Sequence, residues 1–326
     1  VYGFVSPPSF GIPSPTPSCH VMSQDRNSEP SGSTSSATSI RTNLQSLLIS
    51  LGSPSTNKDN TVTTVHLLGT GITGSLLDLP LSSLSLLAQA DVVLYDSLSL
   101  DQMDIQSIVS SDCIIQSVGK RGGDRTNSVL QSEIDSLLVD YVEKLPLGSA
   151  IVRLKGGDPL LFGRARTEVD ALRKAGARYT ITPGLSSCVA GPHFAGIPLT
   201  DPILDSQSFA VFTGTDKGGI GEGQKGERDW KNMQVDALVF LMIGQLPKLR
   251  ALCDRLVEGG GTRWTSTTPC AVVQNAGRKE HQQVFRGTLG TLVDNIQEDL
   301  GEEATTVSPA ILVVGQVAAL DLLEQL

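Results

Sequence analysis

Short apolar, β-branched runs alternate with longer helical stretches through most of this chain. That order constrains the fold more than any other feature, because strands separated by helical crossovers assemble into parallel α/β sheets. Val62 to Leu68 reads as a strand, followed by Gly69-Thr70-Gly71-Ile72-Thr73-Gly74, a helix through about Ala90 and a strand at Val92 to Tyr95. Cys113 to Val118 is a third strand. Leu130, Ile134, Leu137, Leu138, Tyr141 and Leu145 then fall on one face of a long helix that Gly148 ends. Strand Ala150 to Leu154 leads into a glycine turn, helix Ala165 to Ala175 stops at Gly176, and strand Tyr179 to Thr182 stops at Pro183-Gly184.

From Gly184 to Gln207 the chain turns rich in Gly, Pro and Ser, which predicts a junction between two α/β domains, 61–183 and 184–326. Strands follow at Phe209 to Thr213, Ala237 to Ile243, Cys270 to Val273, around Phe285 and at Ile311 to Val314, with helices at Leu246 to Val257 and near Leu292. The 326 residues are 39% hydrophobic, enough for two such cores. Residues 1–60 differ: Ser, Thr, Pro and Asn dominate, and the acids are Asp25, Glu29 and Asp59. That composition predicts a disordered leader of transit type, with a plastid as destination and the cytoplasm as the alternative.

A net charge of -9 argues against nucleic acid and against an anionic membrane surface. The apolar stretch Ala310 to Leu323 is interrupted by Gln316 and Asp321, so no bilayer span is expected. The five cysteines form no CxxC pair and the four histidines no HxxxH, which predicts a reducing compartment and no metal.

The candidate chemistry sits where strands end. Val152-Arg153-Leu154-Lys155-Gly156-Gly157-Asp158-Pro159-Leu160-Leu161-Phe162-Gly163-Arg164 runs from a strand into a turn whose two glycines let a ligand approach the backbone, with Asp158 as a carboxylate at the sheet edge. A plain strand-to-helix turn, capped by Asp158 and Pro159, accounts for the same residues. Asp96 closes another strand at that edge, and Gly119-Lys120-Arg121-Gly122-Gly123-Asp124-Arg125 places cations beside it; capping and a solvated loop are the plainer readings. From Arg153 to Arg178 seven basic residues face three acids, which predicts a local positive field for an anionic small substrate. Gly69 to Gly74, with Asp96 about twenty residues on, also fits a dinucleotide fingerprint, although Pro80 delays the helix that would meet a pyrophosphate. His193 reads as a satisfied core histidine, and Met242 as core at the end of an apolar strand.

Five segments, within a similarity in the same order that covers about residue 62 to 317, resemble the tetrapyrrole methylases: Val152 to Arg164, Tyr95-Asp96-Ser97-Leu98, Val118-Gly119-Lys120-Arg121, Thr182-Pro183-Gly184-Leu185-Ser186-Ser187 and Ala195-Gly196-Ile197-Pro198-Leu199-Thr200. The resemblance implies a homodimeric enzyme that binds S-adenosylmethionine between two α/β domains and methylates uroporphyrinogen III at C2 and C7, giving precorrin-2. By position it implies cofactor contacts from Ile72, Gly156, Gly157, Asp158, Leu161, Ser186, Ser187, Met242 and Ala276. Asp96 takes the place of the general base and Lys120 that of the proton donor. A methylase of a later precorrin shares these motifs, and a nicotinamide oxidoreductase stays as the other reading. The chain departs from the family's usual G-x-G-P-G-D-P at Ile72, Thr73, Gly74 and Ser75, and from its usual arginine at Ser97. A member kept for binding alone, without catalysis, is the reading those departures motivate.

Overall fold

The computed structural model describes residues 46–48, 50, 62–119, 130–214 and 229–323. Most of the expected leader, all of residues 1–60 except 46–48 and 50, lies outside them, as do Lys120 and its neighbours Arg121 to Arg125.

Among the described residues ten strands make two five-stranded sheets. The first is ordered β3-β2-β4-β1-β5 and is wholly parallel: β1 (Thr64–Gly69), β2 (Val92–Asp96), β3 (Ile114–Gly119), β4 (Ala150–Lys155) and β5 (Arg178–Thr182). Its crossovers carry helices α1 (Leu81–Ala88), α2 (Gln102–Ile108), α3 (Gln131–Lys144) and α4 (Ala165–Lys174). Val93, Val152, Leu154 and Leu68 pack with Leu87, Ile105 and Ile108 of α1 and α2 on one face. Val65, Leu67, Val92 and Ile151 pack with Ile134, Leu138, Val169 and Leu172 of α3 and α4 on the other. Both faces are covered, which is why the central strands read as unbroken apolar runs. Helix α4 buries Ala165, Glu168, Val169 and Leu172, an i, i+3, i+4, i+7 stripe, and ends at Gly176, whose φ of +67° suits glycine.

The second sheet is ordered β6-β7-β10-β8-β9: β6 (Phe209–Thr213), β7 (Ala237–Leu241), β8 (Pro269–Gln274), β9 (Gln283–Thr288) and β10 (Ala310–Val314). Only β6 and β7 are parallel neighbours; β10 runs antiparallel between β7 and β8, and β9 antiparallel to β8. Helices α6 (Leu246–Gly259) and α7 (Leu292–Leu300) cover one face through Leu249, Leu252, Leu256, Leu292 and Ile296. The other face packs beneath Cys188 of helix α5 (Ser187–Phe194) and beneath Phe162 from the β4–α4 loop. Among the described residues no helix is long and apolar enough to cross a membrane.

Strand order fixes where a ligand can sit. β1 connects toward β2 on one side while its neighbour β4 connects toward β5 on the other, so their outgoing loops part and leave a crevice at the carboxyl edge. Gly71 and Gly156-Gly157 stand at its lip.

Candidate active site

Three backbones meet at the crevice with no room for a side chain. A Cβ on Gly69 would lie 2.3 Å from the nitrogen of Gly184, and one on Gly184 would lie 2.2 Å from the carbonyl oxygen of Gly157. The Gly157 N–H donates to the Gly71 carbonyl at 2.7 Å, closing an isolated bridge between the two glycine loops. Gly157 itself, at φ +68°, is open: a Cβ there would meet only the Cα of Ser186, at 3.9 Å.

From Gly157 the contacts continue around a ring. Ser186 caps helix α5 by accepting the Cys188 N–H, and Ser187 begins that helix. One turn on, a Cβ at Gly191 would touch the Ile311 side chain at 2.3 Å and lie 3.8 Å from the Ala276 Cβ. The loop after β8 turns back at Gly277, where a Cβ would be 2.7 Å from Cγ2 of Thr73 in the first glycine loop. Gln282 locks this corner by accepting the Gly277 N–H at 2.7 Å and donating to the Phe194 carbonyl at 2.8 Å. The sequence-predicted Ile72, Gly157, Ser186, Ser187 and Ala276 thus fall on one closed circuit of segments. Gly156 stands beside it, its Cα facing the Leu98 carbonyl of the β2–α2 loop; a Cβ there would lie 3.1 Å from that oxygen.

Met242, half-exposed, follows β7 in a left-handed conformation (φ +60°), its sulfur 3.6 Å from the Thr213 hydroxyl. Asn275, beside Ala276, is left-handed too (φ +49°). A non-glycine residue held there costs about 1–2 kcal/mol, strain that clusters at ligand sites. Leu161 is exposed in the β4–α4 loop.

Asp158 has a more specific place than a free carboxylate at the edge. Its Oδ1 accepts the N–H groups of Leu160 at 2.8 Å and Leu161 at 3.1 Å, and its Oδ2 that of Gly184 at 3.2 Å. It shapes the loop and ties β4 to β5. The turn also runs through Arg164 before α4 begins, so no helix starts directly behind the two glycines. Asp78 does the corresponding work in the divergent first loop, accepting the N–H groups of Ile72 at 3.1 Å and Thr73 at 2.9 Å. Sequence reasoning missed Asp78; the signal was an acid a few residues beyond a glycine loop without its family aspartate.

Asp96 ends β2 at the same edge, and its Oδ1 accepts Nη2 of Arg153 at 2.7 Å. Arg153 is 1% exposed; its Nε reaches Glu168 at 3.3 Å, and Nζ of Lys155 reaches the same Glu168 oxygen at 2.7 Å. Burial, then the neighbouring Arg153, pulls the Lys155 ammonium below the usual lysine range. Oε2 of Glu168 is buried with no partner. This network removes two of the seven cations expected to make a positive face along 153–178, since Arg153 and Lys155 are buried and balanced by Asp96 and Glu168; Arg166 pairs with Asp170, Arg173 donates to the Tyr179 hydroxyl, and Arg164, Lys174 and Arg178 are exposed. It also weakens the dinucleotide reading, since the carboxylate needed for a ribose is held by Arg153 and only a short 3-10 turn, Leu76–Asp78, follows the first loop.

Comparison with known proteins identifies relatives of this chain. Residues 64–293 match the model of the tetrapyrrole (corrin/porphyrin) methylases. The chain is 34% identical over 257 residues to a uroporphyrinogen-III C-methyltransferase of Synechococcus elongatus, covering 78% of this chain and 94% of that one. It is 35% identical to a siroheme synthase of Pseudoalteromonas translucida over 74% of its own length, but spans only 46% of that relative. A uroporphyrin-III C-methyl transferase from Thermus thermophilus, solved with S-adenyl homocysteine, superposes with a TM-score of 0.58 at 28% identity, over 78% of this chain and 98% of that one. With the family model covering most of its folded length, the chain belongs to the tetrapyrrole methylases.

Proposed function

We propose that this chain transfers methyl groups from S-adenosylmethionine to C2 and C7 of uroporphyrinogen III, forming precorrin-2. The observation that carries the reading is the circuit from the first glycine loop through Gly157 and helix α5 to Ala276, with Asp96 on the adjoining strand end. The Synechococcus relative, matched over nearly its full length, supports the substrate, and the S-adenyl homocysteine held by the Thermus enzyme supports the cofactor class.

The residues fit an adenosyl sulfonium. The open Gly157 backbone admits a flat group, exposed Leu161 and Met242 supply apolar contact, and the α5 N-terminus with Ser186 and Ser187 supplies polar groups. S-adenosylmethionine, when bound, supplies an electrophilic methyl on sulfur. The chain's task is to hold the two reactants in line and exclude water. Gly156 and Asp158 set the wall, Asp158 by fixing the loop that presents Leu161. Asp96 accepts the proton lost from the methylated pyrrole and favours the positive charge that develops there, with Arg153 keeping its carboxylate in place. Lys120 returns a proton to the macrocycle.

The same reading divides the chain into domains 61–183 and 184–326, makes it a homodimer, and sends it through residues 1–60 to a plastid; a fluorescent fusion of residues 1–60 tests the last point. The test of function is anaerobic incubation of the protein with uroporphyrinogen III and S-adenosylmethionine, followed by mass analysis. Two added methyl groups are expected. Turnover of a later precorrin with none of uroporphyrinogen III assigns the sister reaction instead, and affinity for NADPH without affinity for S-adenosylmethionine refutes the methylase reading.

A further inference from the structure

The proposed substrate carries eight carboxylates, yet the two basic residues that end β4 are committed elsewhere. Arg153 and Lys155 are buried against Glu168, and Ser97 stands where the family usually has arginine. Arg278 is a further cation at the circuit. Arg278 follows Ala276-Gly277, and its guanidinium reaches across to the first glycine loop: a Cβ on Gly74 would be 3.4 Å from Nη2 of Arg278 and 3.6 Å from the carbonyl oxygen of Ser99. Ser99 is bound to Asp96 directly, its N–H and hydroxyl donating to the Asp96 carbonyl at 3.0 and 2.6 Å. The Arg278 head and the segment that leaves Asp96 therefore flank the same glycine, Gly74.

Its base is fixed. The Arg278 N–H donates to the Asn275 carbonyl at 3.0 Å, and its own carbonyl accepts the N–H groups of His281 and Gln282 at 2.8 Å. Its head is not: among the described residues no carboxylate pairs with this half-buried guanidinium, whereas Arg153, Arg166, Arg250, Arg263 and Arg286 each hold an acid. A partly desolvated guanidinium with its fork of donors unused is matched to a carboxylate.

Resting on the methylase reading, we propose that Arg278 binds a carboxylate side chain of the tetrapyrrole and so orients the ring toward Asp96. It takes over the task that the family's arginine at position 97 would serve. The test uses the full chain with R278A and R278K, reading KM for uroporphyrinogen III, KM for S-adenosylmethionine and kcat separately, with the affinity for uroporphyrin III, the oxidised octacarboxylate, followed by fluorescence. We expect R278A to raise the tetrapyrrole KM and dissociation constant about tenfold or more, R278K to recover part of this, and the S-adenosylmethionine KM and melting temperature to hold. Unchanged tetrapyrrole affinity in R278A overturns the proposal. A parallel loss for both substrates also overturns it, because that marks a latch between loops rather than a carboxylate site. A wild-type chain that binds uroporphyrin through Arg278 but methylates nothing refutes the methylase reading and leaves this site standing; one that neither binds uroporphyrin nor methylates uroporphyrinogen III overturns both.

Discussion

Replacing Arg153 with methionine removes a cation that is 1% exposed and sits between two carboxylates, Asp96 at 2.7 Å and Glu168 at 3.3 Å. Glu168 keeps Lys155 at 2.7 Å, and Asp96, with 32% of its side chain exposed, keeps some water, so neither acid is stranded completely. Breaking a buried pair costs about 3–5 kcal/mol, and R153M belongs at the lower end of that range. E168M is harsher, because it leaves Arg153 and Lys155 buried together with only Asp96 to balance them. Lys155 then sheds its proton, the direction in which burial already pushes it. The double variant removes one charge of each sign and leaves Lys155 free to become neutral. Its cost should therefore fall short of the sum of the single costs by about 1–3 kcal/mol, the size of coupling seen between groups of one network. Urea unfolding midpoints for the wild type, both single variants and the double variant measure this, provided the slopes agree. Additivity within about 0.5 kcal/mol would refute the claim that these residues act as one charge-balanced unit. R153M should also lower kcat at unchanged KM for S-adenosylmethionine, since Asp96 loses its anchor.

Further expectations can be checked independently. G184A places a Cβ 2.2 Å from a backbone oxygen that cannot step aside, and should cost about 3 kcal/mol or more in a thermal or urea melt. D78A frees the Ile72 and Thr73 N–H groups, and should raise the S-adenosylmethionine KM several-fold while leaving the melting temperature within a few degrees. Burial holds His66 at about 4, below its ordinary value of 6.5, so the unfolded chain binds the extra proton between those values. Stability should rise with pH across that window and be lost as pH falls through it, with a slope approaching about 1.4 kcal/mol per unit that H66Q flattens. Burial also pushes the Cys253 thiol up to about 12 and Cys270 higher still, so neither should react with iodoacetamide at neutral pH until the protein unfolds.

The parallel half of the fold was legible because strands buried on both faces, such as Ala150–Lys155, leave continuous apolar runs between helical stretches. Helix α2 escaped: at seven residues, with Ile105 and Ile108 as its buried positions, it is too short to show a period. The direction of the second sheet's strands was equally hidden. β10 inserts antiparallel between β7 and β8, and that follows from how distant segments pack rather than from any local pattern. Of the site, the glycine loops and strand-end acids could be found from residue type alone. The fate of Arg153 and Lys155 could not, although both share a strand face with buried Ile151. Their partner Glu168 lies on a helix, and only the fold brings it beneath them. Arg278 was invisible for the same reason, since its neighbours Gly74 and Ser99 are some two hundred residues away in the chain.

Calorimetric titration of S-adenosylhomocysteine into wild-type protein and G157A addresses the cofactor wall itself. The added methyl has open space toward Ser186, and the left-handed backbone costs it about 1–2 kcal/mol, so the variant should fold. Binding by the wild type, weakened tenfold or more in folded G157A, is the outcome required by a ligand lying against that backbone. Equal affinity in the two proteins would place the adenosyl group somewhere else and contradict it.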